Sequence, residues 1–102
     1  MSKSWSWQDA QELYKEAIMF WGKPLQVIMV MEEGAELTKE LSKWLRKKGD
    51  TVKIAEELAD VDIMLEQLKV MMEDEDVKFG EYYARARLKK LERLNKLLEA
   101  SR

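Results

Sequence analysis

The sequence predicts an all-α protein of four helices. Long segments repeat their apolar residues every three to four positions, as amphipathic helices do, and no alternating strand pattern of useful length appears. Gly22, Pro24 and Gly49 separate these segments, where helices are expected to end and begin. A chain of 102 residues fits one domain. We therefore expect residues 1–102 to form a single four-helix bundle.

The first helix is predicted over residues 7–21. Ser6 and Asp9 have the spacing of a capping box, in which each side chain accepts a hydrogen bond from the other residue's backbone. An amphipathic apolar pattern follows, and Gly22 supplies the residue type that commonly ends a helix.

The second helix is predicted over residues 24–48. Pro24 suits a first helical turn, where a missing backbone N–H costs nothing. Lys47 and Lys48 place positive charge in the last turn, where the helix dipole favours it. Gly49 is then expected to terminate the helix.

Two further helices complete the predicted fold. The third should cover residues 52–73, capped by Asp50 or Thr51. The acidic run 73–76 is expected to form a turn, and a fourth helix to follow over residues 77–100.

The third helix is apolar on two sides, and a helix of this kind is buried on two sides. We therefore expect the chain to complete its core as a homodimer or homotetramer. The main stripe comprises Ile54, Leu58, Val61, Leu65, Leu68 and Met72, while Ala59, Ile63 and Val70 lie roughly opposite.

The composition excludes several classes of function. The chain has no cysteine and no histidine, so thiol nucleophiles, disulfides, imidazole bases and histidine-ligated zinc sites are excluded. Its net charge of -2 argues against general nucleic-acid binding, which usually needs a basic surplus. No apolar segment is long enough for a membrane span, and the N-terminus lacks an apolar signal core. We therefore expect a cytoplasmic protein with no membrane partner.

Acidic residues gather on one face of each central helix. Glu33 and Glu36 lie about 60° apart on the second helix, and Glu57 and Asp60 have the same relation on the third. No lysine follows Glu33, Glu57 or Asp60 four residues later, which disfavours a solvated face of salt bridges. Asp62, Glu66 and Lys69 instead form the predicted solvated side of the third helix, and the apolar face of the second comprises Val27, Val30, Gly34, Leu37, Leu41 and Leu45.

Carboxylates converging from two helices without histidine make a hard, all-oxygen donor set. Such a set selects Mg²⁺, or Mn²⁺, over zinc. The residues therefore predict a magnesium site.

The same acids carry a family resemblance. The segment MEEGAELTKEL, followed by KIAEELADVDIML, resembles the MazG-like nucleoside triphosphate pyrophosphohydrolases of the all-α NTP pyrophosphatase superfamily. That family's signature is EExxE followed by ExxD. Here it consists of Glu32, Glu33 and Glu36, then Glu57 and Asp60 after 20 intervening residues. The resemblance extends well over residues 20–70 and loosely over the ends.

The resemblance implies hydrolysis of a nucleoside triphosphate between its α and β phosphates, in a house-cleaning enzyme of the cytoplasm. It implies that magnesium is held by Glu33, Glu36, Glu57 and Asp60, with Glu32 assisting or orienting water. It also places phosphate-binding cations on the last helix, for which Lys89 and Arg93, then Arg85, are the candidates.

The remaining predictions concern recognition of the nucleobase, the core face of the fourth helix and the alternative functions. Trp21 and Gln26 precede the acidic motif and are candidates for contacting the nucleobase by stacking and hydrogen bonding. Opposite the basic face of the fourth helix, Leu91, Leu94 and Leu98 are expected to face the core. Two alternatives stay open: a phosphoribosyl-ATP pyrophosphohydrolase of the same fold, and a non-catalytic helical oligomerisation or regulatory module with a vestigial acidic site.

Overall fold

The all-α prediction is confirmed by the computed structural model, which describes residues 4–102. It contains the helices α1 (Trp7–Trp21), α2 (Lys23–Leu45), α3 (Thr51–Glu75) and α4 (Phe79–Ser101), and none of the described residues forms a strand. The chain divides after Met71 into two compact units. The first contains α1, α2 and most of α3, and the second contains α4.

The two ends of α1 follow from the residues that flank it. The backbone N–H of Asp9 donates to Ser6 Oγ over 3.0 Å, and the N–H of Ser6 donates to Asp9 Oδ2 over 3.2 Å, so the predicted capping box is confirmed. Gly22 ends the helix with φ +83° and ψ 153°, a conformation that side chains with a Cβ rarely adopt. This turn allows α2 to begin at once, with Pro24 in its first turn.

The predicted end of α2 at Lys48 is wrong, because the helix stops at Leu45. Lys47 takes a left-handed φ of +61°. The N–H of Lys48 donates to the carbonyl of Lys43, and the N–H of Lys47 donates to that of Trp44, both over 2.9 Å. These bonds form a Schellman motif in which lysine occupies the position usually held by glycine.

Gly49 was predicted to terminate α2, but it instead allows the connector to pass close to that helix. A Cβ at this position would lie 2.5 Å from the Cα of Trp44, so the connector passes directly against the last turn of α2. A clash with backbone cannot be relieved by a change of rotamer. Only glycine therefore fits here without moving the chain.

The ends of α3 are set by aspartates. Asp50 Oδ1 accepts a hydrogen bond of 2.8 Å from the N–H of Val52, which makes Asp50 the cap of the two predicted candidates. The helix continues to Glu75, two residues beyond the predicted end, so most of the acidic run is helical. Asp76 then forms the turn, accepting from the N–H of Lys78 over 2.9 Å.

Tyr14 joins α1 to α3. Its side chain is buried, and its hydroxyl donates to Glu66 Oε2 over 2.6 Å. Glu66 is itself exposed, as expected of the solvated side of α3, although its carboxylate accepts this hydrogen bond from α1. This hydrogen bond, then burial and the negative charge of Glu66, raise the pKa of Tyr14 from 10.0 to about 12.

The Tyr14→Phe variant is expected to lose about 1–2 kcal/mol of stability at pH 8, since a hydrogen bond to a charged acceptor is removed. A phenol whose pKa is raised by folding contributes its stability fully below the unfolded pKa, and that contribution is lost as the pH rises through about 12. The gap between the two proteins should therefore shrink above pH 10. Denaturant midpoints of both proteins from pH 8 to 12 test this, and a constant gap would contradict it.

Burial along α2 does not follow polarity. Its buried residues are Gln26 and Glu40, both polar. Its apolar side chains range from half-buried, as at Leu37, to 68% exposed at Met31 and 75% exposed at Leu45. Neither the polar nor the apolar side of α2 is therefore buried as a whole.

Taken by itself, α4 is an amphipathic helix with no buried residue. Leu91, Leu94 and Leu98, which the sequence assigned to the core, are exposed. Among residues 4–102, no helix combines the length and hydrophobicity that crossing a membrane requires.

Candidate metal centre

Three acids from two helices come together in the first unit. Glu33 of α2 and Glu57 and Asp60 of α3 each offer one carboxylate oxygen, and these oxygens all lie within 4.8 Å of one another. Glu33 and Glu57 are partly buried, whereas Asp60 is exposed. The group is therefore anchored at the helix interface and accessible from one side.

Helix geometry explains why these residues meet. Glu57 and Asp60 are three residues apart, one turn along the same face of α3. The short connector between α2 and α3 makes them antiparallel neighbours, so that Glu33 is turned toward both. Met64 follows one turn after Asp60 and is buried, as is Met71 two turns further on. The acids therefore share the face of α3 that packs most deeply.

The electrostatics of the group are unfavourable without a cation. The pKa of Glu33 is raised, first by burial and then by the negative charges of Asp60, Glu57, Glu36 and Glu32. All of these charges have the same sign as its own ionised carboxylate. A bound cation would remove this repulsion, which is the behaviour expected of a metal site.

Glu36 and Glu32 lie close to this group but outside it. Both are exposed, and neither is among the three acids whose oxygens lie within 4.8 Å. Their charges nevertheless act on Glu33. The role of Glu36 as a fourth ligand, and that of Glu32 in orienting water, stay predictions.

The two residues predicted to contact a base have different environments. Trp21 is half exposed at the end of α1, with its ring edge-to-face against Phe20 at a centroid distance of 5.2 Å. Gln26 has no exposed surface, and its Nε2 lies 3.9 Å from the sulfur of Met29. In this conformation a base can reach Trp21 but cannot reach Gln26.

Sequence reasoning missed a second buried amide. Within the described part of the chain, the Oε1 atoms of Gln26 and Gln67 are both buried without a hydrogen-bond partner. Gln26 comes seven residues before Glu33, and Gln67 comes seven residues after Asp60. Seven residues is close to two helical turns, so each amide shares a face with an acid. This seven-residue spacing is the sequence pattern from which both buried amides could have been predicted.

The predicted phosphate-binding cations lie on α4. Arg85, Lys89 and Arg93 follow one another at intervals of four residues and are all exposed. This spacing places them along one side of the helix. Their assignment to phosphate stays a prediction.

Comparisons with known proteins found no match for the chain. No protein-family model matches it, and no curated protein or solved structure does so. The MazG-like resemblance therefore depends on the motif from Glu32 to Asp60 alone. The case for a metal site depends on the three clustered carboxylates.

Proposed function

We propose that this chain is a Mg²⁺-dependent nucleoside triphosphate pyrophosphohydrolase, which cleaves its substrate between the α and β phosphates into a monophosphate and pyrophosphate. The observation that carries the proposal is the meeting of Glu33, Glu57 and Asp60, whose carboxylate oxygens lie within 4.8 Å of one another. These are three of the four acids that the family motif assigns to metal.

The donor set fits magnesium. Ligand oxygens at 2.0–2.1 Å in an octahedral shell are separated by about 3–4 Å. The present spacing of up to 4.8 Å needs only small side-chain rotations to reach that range. The chain offers no thiolate or imidazole, because it contains no cysteine and no histidine. An all-carboxylate set favours Mg²⁺, or Mn²⁺, over softer metals.

Each acid in or near the cluster has a role in the proposed reaction. Glu33, Glu57 and Asp60 would hold the ion, with Glu36 the next ligand to be recruited from one turn along α2. A bound magnesium ion supplies neutralisation of phosphate charge and a lowered pKa for water. The exposed carboxylate of Glu32 can accept a hydrogen bond from the attacking water and so orient it.

The remaining tasks concern substrate binding. Arg85, Lys89 and Arg93 are the candidates for binding phosphate oxygens, since charge-assisted hydrogen bonds are strong and geometrically selective. The half-exposed indole of Trp21 offers a stacking surface for a base. The preferred substrate in this proposal is a deoxynucleoside triphosphate or a non-standard nucleotide.

A substrate panel tests the activity. Incubation with common and non-standard (d)NTPs and phosphoribosyl-ATP, with millimolar Mg²⁺, is expected to release pyrophosphate and a monophosphate from at least one nucleotide. Release of inorganic phosphate and a diphosphate, or no turnover of any substrate, would contradict the proposal. Turnover of phosphoribosyl-ATP alone would favour the related histidine-pathway reaction.

Magnesium titration tests the site independently of turnover. An ion that binds only the folded chain stabilises it by about 2.7 kcal/mol at 100 times its Kd, which raises the Tm of a domain of this size by roughly 10 °C. A solvated acidic surface would show no such selective shift. Stabilisation without turnover would instead indicate a metal-binding module.

A further inference from the structure

Two buried amide side chains lie beyond the metal centre, one on each of the helices that form it. Gln26 precedes Glu33 by seven residues on α2, and Gln67 follows Asp60 by seven residues on α3. Seven residues advance a helix by about 10 Å and return it to almost the same side, about 20° short of two full turns. Because α2 and α3 run in opposite directions, both steps lead the same way along the unit. This register places Gln26 opposite Gln67, as Glu33 is placed opposite Asp60.

Both amide oxygens are buried without a hydrogen-bond partner among residues 4–102. Gln26 as a whole has no exposed surface, and its Nε2 contacts the sulfur of Met29 at 3.9 Å. A thioether can accept a hydrogen bond but cannot donate one, so this contact serves only the nitrogen of the amide. The Oε1 atom of Gln26 therefore needs a donor from elsewhere.

The buried residues of α3 cannot supply that donor. They are Met64 and Met71, three residues before and four residues after Gln67 on the same side of the helix. A buried amide is costly unless its polar atoms are paired, because burial removes the water that would otherwise bond them. Two unpaired oxygens at one level can both be bonded by one water molecule, which has two O–H groups. Buried waters are held by roughly two to four polar groups in this way.

We propose that Gln26 and Gln67 hold a buried water molecule between α2 and α3, and that this bridge fixes the rotation that turns Glu33 toward the acids of α3. Hydrogen bonds are directional, whereas thioether side chains adapt to a range of rotations. A polar layer can therefore select one arrangement where an apolar layer would permit several. The two glutamines are positioning residues that act on the metal through Glu33. Their positioning role rests on the metal site of the proposed function, whereas the water bridge does not.

The angular positions on α2 support this role. At about 100° per residue, Glu33 lies within about 20° of the side that carries Gln26, whereas Glu36 is turned about 80° from it. A rotation that points Gln26 at α3 therefore points Glu33 there as well, and it is Glu33 that joins the cluster. This role differs from the base contact predicted for Gln26, since it requires no exposed surface.

Solution NMR tests the water bridge without any metal. In nuclear Overhauser spectra of the native chain, the side-chain NH₂ groups of Gln26 and Gln67 are expected to show cross-peaks to a long-lived water molecule. Gln8 is the internal control, because it is exposed on α1 and should contact only fast surface water. In the Gln67→Met variant, the water cross-peak of Gln26 should disappear. A native spectrum without long-lived water at either buried amide would overturn the bridge.

Magnesium titration followed by calorimetry tests the positioning role. Gln26→Met and Gln67→Met keep the unbranched shape of the side chain and remove its amide, and neither residue is a metal ligand. Each change is expected to raise the Kd of Mg²⁺ about tenfold, the lower end of the loss caused by removing groups that support metal ligands. Gln8→Met, the same change at the exposed position, should leave the Kd unchanged. Equal Kd values in all four proteins would overturn the positioning role.

The variant that carries both Gln26→Met and Gln67→Met separates positioning from stability. With both amides replaced, no unpaired polar atom remains in the layer, so the metal-free Tm should equal or exceed the native value. The Kd of Mg²⁺ should stay raised, because no directional contact fixes the rotation of α2. A merely structural role predicts that affinity recovers together with stability, and that result would overturn the proposal.

Failure of the proposed function has a different signature. A native chain that shows the bound water but binds no Mg²⁺ would contradict the metal site, and with it the positioning role, while establishing the water site. A native chain that binds Mg²⁺ but shows no bound water would overturn the bridge and leave the metal site standing.

Discussion

Replacing Asp60 with asparagine is expected to lower the rate of nucleotide hydrolysis by about a thousandfold. Asn keeps the shape of the side chain but removes one negative oxygen from the group formed with Glu33 and Glu57. Metal-ion stabilisation of a transition state amounts to several kcal/mol, and each 1.36 kcal/mol is a factor of about ten in rate. The measurement is pyrophosphate release at saturating Mg²⁺ and nucleotide.

Asp62→Asn is the matched control for this experiment. Asp62 is exposed and lies two residues further along α3, about 160° around the helix from Asp60. Its neutralisation should leave the rate within a factor of two, a change of less than about 0.5 kcal/mol. Full activity in Asp60→Asn, or equal losses in both variants, would exclude Asp60 from the metal site.

Replacing Glu33 with glutamine is expected to change stability in opposite directions with and without metal. In the metal-free protein the change removes a partly buried charge that is repelled by its acidic neighbours, so the variant should be more stable than the native chain at pH 7. With saturating Mg²⁺ the order should reverse, because the variant lacks a charged ligand.

The pH dependence of the metal-free proteins follows from the raised pKa of Glu33. A carboxyl whose pKa is raised by folding contributes its stability below the unfolded pKa, and that contribution is lost as the pH rises through the folded pKa. The native chain should therefore lose stability relative to Glu33→Gln as the pH increases from 4 to 7. Thermal melts at four or five pH values, with and without Mg²⁺, provide the comparison.

Glu56→Gln serves as the control for Glu33→Gln. Glu56 is largely exposed, and its contact with Lys53 is a surface ion pair of 3.8 Å, which contributes little to stability. This variant should melt close to the native protein both with and without Mg²⁺. A Glu33→Gln variant that is less stable without metal, or that keeps the full magnesium response, would contradict the assignment of Glu33.

The sequence predicted local structure most accurately where side chains cap the backbone. The limits of α1 follow from the bonds between Ser6 and Asp9 and from Gly22, all of which act within a few residues. The end of α2 could not be obtained in this way. A lysine in the left-handed region at position 47 is stabilised by backbone bonds that propensity alone does not reveal.

Which helix face becomes the interior depends on the neighbouring helices, and this limited the prediction of burial. Leu91, Leu94 and Leu98 were expected to face the core, yet all three are exposed, whereas the polar residues Gln26 and Glu40 are the buried ones of α2. Tyr14 and Glu66 are 52 residues apart, so no local pattern links them.

The acidic site was predictable in part. The i,i+3 pairs place Glu33 near Glu36 and Glu57 near Asp60, because helix geometry fixes that spacing. Which acid of α2 points at α3 depends on how the two helices are rotated about their axes. That rotation brings Glu33, and not Glu36, within 4.8 Å of the pair on α3.

The connector from Arg46 to Asp50 sets where the acids of α3 lie relative to Glu33 of α2. The conformation of this connector is tightly constrained. Lys47, in the left-handed region, fixes its start, and the close approach of Gly49 to the backbone of Trp44 fixes its course toward α3. One inserted residue that extended into α3 would turn Glu57 and Asp60 by about 100° away from Glu33. A metal site formed by these acids therefore requires the connector to keep its length. In any group of relatives that keeps the acids, alignment gaps should avoid these five residues.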